Sequence, residues 1–137
     1  MIEVQDILKE AGKLGACSQS AKASDWKSLC WLFFSPQGRE FCKANNYPSL
    51  DVFRGAKGKL AQNKVYVEDD VTIVNDNVAL IKSTGELVFH GVDKAYTVIL
   101  MHGATALIKA GNYAVVRIEN MGGTYNVIND GTAKILV

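Results

Sequence analysis

From residue 64 onward the chain is a succession of short β-branched stretches, each followed by Gly, Asn or Asp: VYVEDD, VTIVNDN, VALIKSTG, ELVFHG, YTVILMHG, ATALIKAGN, YAVVRIENMGG, TYNVIND and GTAKILV. Val, Ile, Thr and Tyr suit a pleated, half-buried strand, and Gly, Asn and Asp tolerate the turn conformations that stop one. The centres recur every eight or nine residues, with stretching around Asp93 and Met121. Three architectures produce this pattern. A barrel or sandwich of hairpins uses two-residue turns, and NVINDGTAKILV has the look of an Asp-Gly hairpin. A cupin-like jelly roll adds metal ligands. A parallel β-solenoid stacks short strands through tight corners, where Gly and Asn accept positive φ.

Two observations favour the solenoid. TVILM and ATALI are apolar with small residues interleaved rather than cleanly alternating, and no Pro follows residue 48. The expected fold is therefore α+β: a helical segment over residues 1–63, then an all-β tract over 64–137 that is a β-solenoid, with a small β-barrel or sandwich as the alternative.

The chain changes character near residue 63. Both Trp, both Pro and all three Cys precede residue 49. Val4, Ile7, Leu8, Ala11 and Leu14 follow the spacing of an amphipathic helix, which Gly12 and Gly15 weaken and end. Ser24 and Asp25 supply a cap before WKSLCWLFF, where Trp26, Leu29, Cys30 and Phe33 share a face flanked by Trp31 and Phe34. Ser35 before Pro36 and Ser49 before LDVFRG are two further helix starts, separated by the turn NNYP. Three or four short helices are expected around Trp26, Leu29, Phe33, Phe41 and Phe53. Core packing is the better account of that aromatic stripe than a binding surface.

Composition narrows the function classes. The chain is 137 residues long, 48% apolar and 21% charged, a globular profile for one domain or a core with a small appendage. Its net charge is +1, and no basic run is longer than the loose RGAKGK at residues 54–59. Neither nucleic acid nor an anionic membrane is indicated as a partner, because electrostatic capture needs a clustered basic face. The start MIEVQDILKEAGKLG lacks the apolar core of a signal peptide, and LCWLFF is far shorter than a membrane span. A soluble protein is expected, cytoplasmic or virion-associated.

Catalytic and metal motifs find little support. Cys17, Cys30 and Cys42 are spaced by 13 and 12 residues with no close pair, so buried thiols in a reducing compartment are expected rather than zinc ligands. His90 and His102 lie twelve apart, each just before a Gly, which makes them corner residues at strand ends. Stacked strands would be needed to bring them together as a metal or acid–base pair. VEDD at residues 67–70, with Asp76 beyond it, lacks the regular oxygen spacing of a calcium loop and is expected to be a solvated turn. Cys42 and Ser35 sit in no nucleophile signature, and GAKGK lacks phosphate-loop spacing. No cofactor and no metal is expected.

LFFSPQGREFCKANNYPSLDVFRG followed by YTVILMHGATALIKAGNYAVVRIEN resembles a group of uncharacterised proteins of prophage and other mobile elements, in which a helical segment leads into Ala/Val-rich β-solenoid repeats. The resemblance implies a fold but transfers no functional residue. This chain departs from the most regular members because its repeat length drifts and Tyr66, Phe89, Tyr96, Tyr113 and Tyr125 interrupt the small-residue pattern.

The expected function is a non-enzymatic structural or protein-interaction module of mobile-element origin, with the helices capping one end of the β tract. Its partner would be a protein or a second copy, making a homo-oligomer. The five aromatic residues are the candidate contacts. The alternative is a small barrel that binds a sugar or other small ligand in a cavity they line. Ending on Ile135, Leu136 and Val137 marks the last strand as the candidate self-association surface.

Overall fold

A three- to seven-residue strand satisfies its backbone only by pairing, and in the computed structural model every pairing in the β tract is parallel. The structure describes residues 4–13, 26, 30, 35–45 and 48–137. The chain divides into two compact units, Met1–Asn63 and Lys64–Val137.

In the second unit the strands are β1 (Val65–Val67), β2 (Asp70–Val74), β3 (Val78–Ile81), β4 (Thr84–Phe89), β5 (Ala95–Met101), β6 (Thr105–Ala110), β7 (Val115–Met121), β8 (Thr124–Asn129) and β9 (Lys134–Leu136). The odd-numbered strands form a five-stranded sheet in the order β1-β3-β5-β7-β9, and the even-numbered ones a four-stranded sheet in the order β2-β4-β6-β8. The chain thus alternates between two sheets and advances one rung per coil. This is a β-solenoid, and each of the nine stretches named above supplies one strand. The barrel and sandwich alternative is overturned by the parallel pairing. NVINDGTAKILV is not a hairpin: Asp130 and Gly131 turn the chain from β8 in one sheet to β9 in the other.

Register fixes which side chains stack. The step from Val65 to its partner Ala79 is 14 residues, from Ala79 to Ile99 it is 20, and from Val115 to Lys134 it is 19. Of the six extra residues in the second step, two lie in the corner, residues 90–94 against 75–77, and four in the strands beside it, Phe89 closing β4 and residues 95–97 opening β5. The stretching around Asp93 is this longer corner.

The inner faces of the two sheets supply one core, in which Leu80, Leu87, Phe89, Tyr96, Val98, Leu100, Ile108, Val116 and Ile118 are almost wholly removed from water. Ala104, Ala106, Ala110 and Ala114 fill the narrower places between them. The rings of Phe89 and Tyr96 lie 5.1 Å apart at a 31° tilt, an arrangement that suits aromatic quadrupoles. Backbone fit is as close at Gly123, where an added Cβ would stand 2.7 Å from the Ala104 carbonyl oxygen and 2.9 Å from the Leu100 Cβ. Alternation is masked in the sequence because Val65, Val67, Ala79, Ile81, Ile99 and Met101, one position out of phase with the core residues, are buried too.

The corners differ from expectation in one respect. Positive φ was expected of Gly and Asn, yet Glu68 (φ 53°), Lys82 (φ 50°) and His102 (φ 55°) occupy the left-handed region at one stacked corner, followed by Gly122 (φ 112°) a rung later. The ladder decides the conformation. Glu68 N–H donates to the Ile81 carbonyl and Lys82 N–H to the Met101 carbonyl, so each corner is bonded to the coil above it whatever its side chain.

In the first unit, α1 (Val4–Lys13) buries Val4, Ile7 and Ala11, three of the positions its periodicity marks. Helices α2 (Pro36–Asn45) and α3 (Leu50–Gly55) begin at the two expected serine caps. The Ser35 hydroxyl accepts from Gly38 N–H at 3.1 Å and the Ser49 hydroxyl from Val52 N–H at 3.4 Å. Helix α4 (Lys57–Ala61) begins at none of the expected starts, because two glycines in GAKGK obscure a start that Ala56 leaves without a side-chain cap. Trp26 and Cys30 are helical, whereas Leu14, Leu29, Trp31, Phe33 and Phe34 lie outside the described residues. Phe53 and Cys30 are buried, and Phe41 and Trp26 are partly so.

Candidate functional site

The five candidate aromatic contacts do not form a common surface. Phe89 and Tyr96 are inside the solenoid, Tyr66 and Tyr125 pack against its core from the first and last coils, and Tyr113 is exposed at a corner. The interior they share is occupied by aliphatic side chains. Neither a row of exposed tyrosines nor a ring lining a cavity is present among the described residues.

Parallel strand order also separates the two histidines. His90 follows the C-terminal end of β4, whereas His102 lies in the corner before the N-terminal end of β6, and β4 and β6 pair side by side in parallel. The two imidazoles are thus at opposite ends of that sheet's strands. Among the described residues no group of three or more His, Cys, Asp or Glu side chains could hold a metal.

What His90 does belong to is a polar corner that runs from coil to coil. The Asn75 Oδ1 accepts from His90 N–H at 2.8 Å and Gly91 N–H at 3.1 Å, and its Nδ2 lies 3.3 Å from the His90 Nδ1. One coil on, Asn112 Nδ2 donates to the His90 carbonyl at 2.8 Å. Asn112 N–H then donates to Asp130 Oδ2 at 3.3 Å, and Tyr113 N–H to the Thr132 hydroxyl at 3.0 Å. Thr132 donates from both its backbone N–H and its hydroxyl to Asp130 Oδ1, at 2.8 and 2.5 Å. These bonds hold the Asp130 carboxyl below its usual range. Sequence reasoning marked the Asn and Asp positions as turn formers but missed that they bond from one rung to the next. The signal is their recurrence after each even-numbered strand.

Beside this corner, Tyr96 O–H donates to Asp93 Oδ1 at 3.4 Å. Burial raises the phenol's pKa, and the Asp93 carboxylate raises it further. Asp76 lies 3.7 Å from Lys64 Nζ and 3.9 Å from Lys94 Nζ, exposed pairs of small energetic weight. The opposite corner is tied by Ser83, which is 1% exposed: its hydroxyl donates to the Tyr66 carbonyl at 2.8 Å and accepts from Asp69 N–H at 3.1 Å. VEDD is a turn, as its composition suggested, with Glu68 and Asp69 in the corner and Asp70 opening β2.

Cys30 and Cys42 are buried thiols outside any disulfide, and burial pushes each up to about 12. Such groups remain protonated and are poor nucleophiles. Cys17 lies outside the described residues.

The last coil differs from those before it. Within the core columns Ala106 and Ile108 on β6 are buried, but their register partners Tyr125 and Val127 on β8 are only partly so. The same holds for Val116 on β7 and its partner Ile135 on β9, while Leu136 is half-buried and Val137 is 88% exposed. Among the described residues no strand lies beyond β8 or β9. This open rung, with Ile135 and Leu136 on it, is the surface at which the solenoid is least satisfied.

No family model matches the chain, and neither a curated protein nor a solved structure does. No described helix is long and apolar enough to cross a membrane.

Proposed function

We propose that this chain is a non-enzymatic structural or protein-interaction module, of the mobile-element kind its repeats resemble, acting through the open C-terminal rung of its solenoid. The observation that carries the reading is the half-exposed end of the core at Tyr125, Val127 and Ile135, next to two strands whose outer edges have no neighbouring strand among the described residues. Edges of this kind are templates for further pairing. The polar groups elsewhere in the β unit support the same reading, because the corner side chains of Asn75, Ser83, Asn112 and Asp130 are engaged in binding one coil to the next. A stack held in this way presents its end as a rigid surface, so a partner docks without ordering it first.

Deleting residues 134–137 tests the proposal. Light scattering and thermal melting of the full chain and the truncated form should show loss of an oligomer or a lower melting temperature. Two monomers with the same melt would overturn it.

A further inference from the structure

The proposed use of the C-terminal rung can be taken to a single strand and a single occupant. We infer that β8 is the pairing edge, and that its partner is β8 of a second copy, joined antiparallel about a two-fold axis through Val127. The inference rests on the reading above and adds to it which strand pairs, with what, and in which register.

Charge and length together distinguish β8 from the other edges of the solenoid: β1, VYV, is uncharged too, but it is three residues long and both its valines are buried. Natural sheets protect their edges with charged residues, Lys above all, because a charge on an edge strand disfavours a second chain. The five-stranded sheet ends in β9, which carries Lys134, and the four-stranded sheet begins at β2, which carries Asp70. The interior strands β4 and β6 carry Glu86 and Lys109, which form a cross-strand ion pair at 2.8 Å. β8, TYNVIN, is an edge of six residues with no charge and no Pro. Protection is absent where pairing is otherwise unopposed.

The direction of its amides sets the register. Thr124 N–H donates to the Ala104 carbonyl and Asp130 N–H to the Ala110 carbonyl, so the even-numbered amides of this stretch face β6. Successive peptide groups of a strand point to opposite sides, which leaves the N–H and C=O groups of Tyr125, Val127 and Asn129 directed at the open edge. These three positions are symmetric about Val127. An antiparallel second β8 centred there pairs Val127 with its own counterpart and Tyr125 with Asn129 in both directions, so all of them are satisfied at once.

The same geometry favours an identical partner. A two-fold interface sets each residue against its symmetry mate's neighbourhood, so a charge near the axis would face its own sign. The six residues of β8 contain none. On the core side, Tyr125 and Val127, half-buried at the end of the stack, would meet the equivalent side chains of the second copy and complete the burial that Ala106 and Ile108 enjoy one rung earlier. On the outer side, Ile128, 56% exposed, would lie opposite Asn126.

The test uses the full chain with Ile128→Lys and, as a second variant, Asn126→Lys. Both side chains are exposed on the outer face, so the fold should survive either change, as circular dichroism would show. Light scattering across a concentration series should find a dimer for the parent chain and a monomer for both variants, and Val127→Cys should give a disulfide-linked dimer on oxidation. A parent chain that stays monomeric at every concentration overturns this inference, and the broader proposal then stands or falls on whether the form lacking residues 134–137 melts lower than the parent. A dimer that survives both lysines and yields no Val127→Cys cross-link, yet dissociates on removal of residues 134–137, overturns the β8 pairing and leaves the broader proposal standing. Assemblies that grow beyond two copies would mean head-to-tail stacking and overturn the two-fold.

Discussion

The two units of this chain are built by different bookkeeping of the backbone. In Met1–Asn63 each of the helices α1 to α4 closes its hydrogen bonds within itself, so its limits are written locally, in caps such as Ser35 and Ser49 and in the spacing of Val4, Ile7 and Ala11. In Lys64–Val137 no strand closes its own bonds. Every rung depends on the residue 14 to 21 positions away. Substitutions in the first unit should therefore act over one helix, and substitutions in the second should be felt by neighbouring coils.

The largest effect is expected from Phe89→Ala. It removes a fully buried ring that stacks with Tyr96, and large-to-small changes of this kind destabilise by about 3–5 kcal/mol. Denaturant unfolding should show the loss, and hydrogen exchange should show it spreading to β5 and β6. Protection lost in β4 alone would erase the contrast between the units.

Gly123→Ala comes next. Its methyl would strike the Ala104 carbonyl and the Leu100 Cβ, groups unable to rotate away, so overpacking of about 1–3 kcal/mol is expected in the same unfolding experiment. A variant as stable as the parent would show that the β7–β8 corner is looser than its geometry.

Ser83→Ala and Ser49→Ala form a matched pair, one hydroxyl between coils and one at a helix cap. Ser83→Ala removes a hydrogen bond from the Tyr66 carbonyl and another from Asp69 N–H, both part-buried, and should lower stability by about 1–3 kcal/mol. Ser49→Ala should cost about 1 kcal/mol, with fraying confined to α3. Reversed magnitudes in thermal melts would mean that the helical unit is the more cooperative one.

The smallest effect concerns acid. The Asp130 carboxyl titrates below its usual value of 3.8 because Thr132 and Asn112 donate to its charged form. A depressed folded pKa means that its contribution is complete above 3.8 and fades as pH falls through the lower folded value. Asp130→Asn should flatten that part of the pH dependence of melting, and the exposed site makes the change slight. An unaltered acid limb would show that the corner is held by Thr132 and Asn129 without the charge.

Strand number and turn placement were legible because each corner after β2, β4, β6 and β8 carries Asn, Asp or Gly, whose conformational range is local chemistry. Sequence alone left Asp130–Gly131 ambiguous between hairpin and corner, since both need the same positive φ and only non-local pairing separates them. The interior fate of Phe89 and Tyr96 follows from phase. They sit in step with Leu87 and Val98, but out-of-phase neighbours such as Ile99 and Met101 are apolar as well, so the pattern gave no inside or outside. The left-handed Glu68, Lys82 and His102 had no sequence signal, because the rung above imposes their conformation. Helix α4 was obscured by Gly55 and Gly58, poor helix formers that tertiary context overrode.

The unequal coil lengths have a practical meaning. The ladder between β3 and β5 is unbroken although the chain travels 20 residues per rung there and 14 in the coil before, so the corner of residues 90–94, with the strand ends on either side of it, takes up length without moving the register. Val92 at its tip is 68% exposed. That corner is a socket for foreign sequence: a peptide spliced at Val92 would be displayed from a rigid stem, and its ends would be held a fixed distance apart by strands that do not sense what is inserted between them.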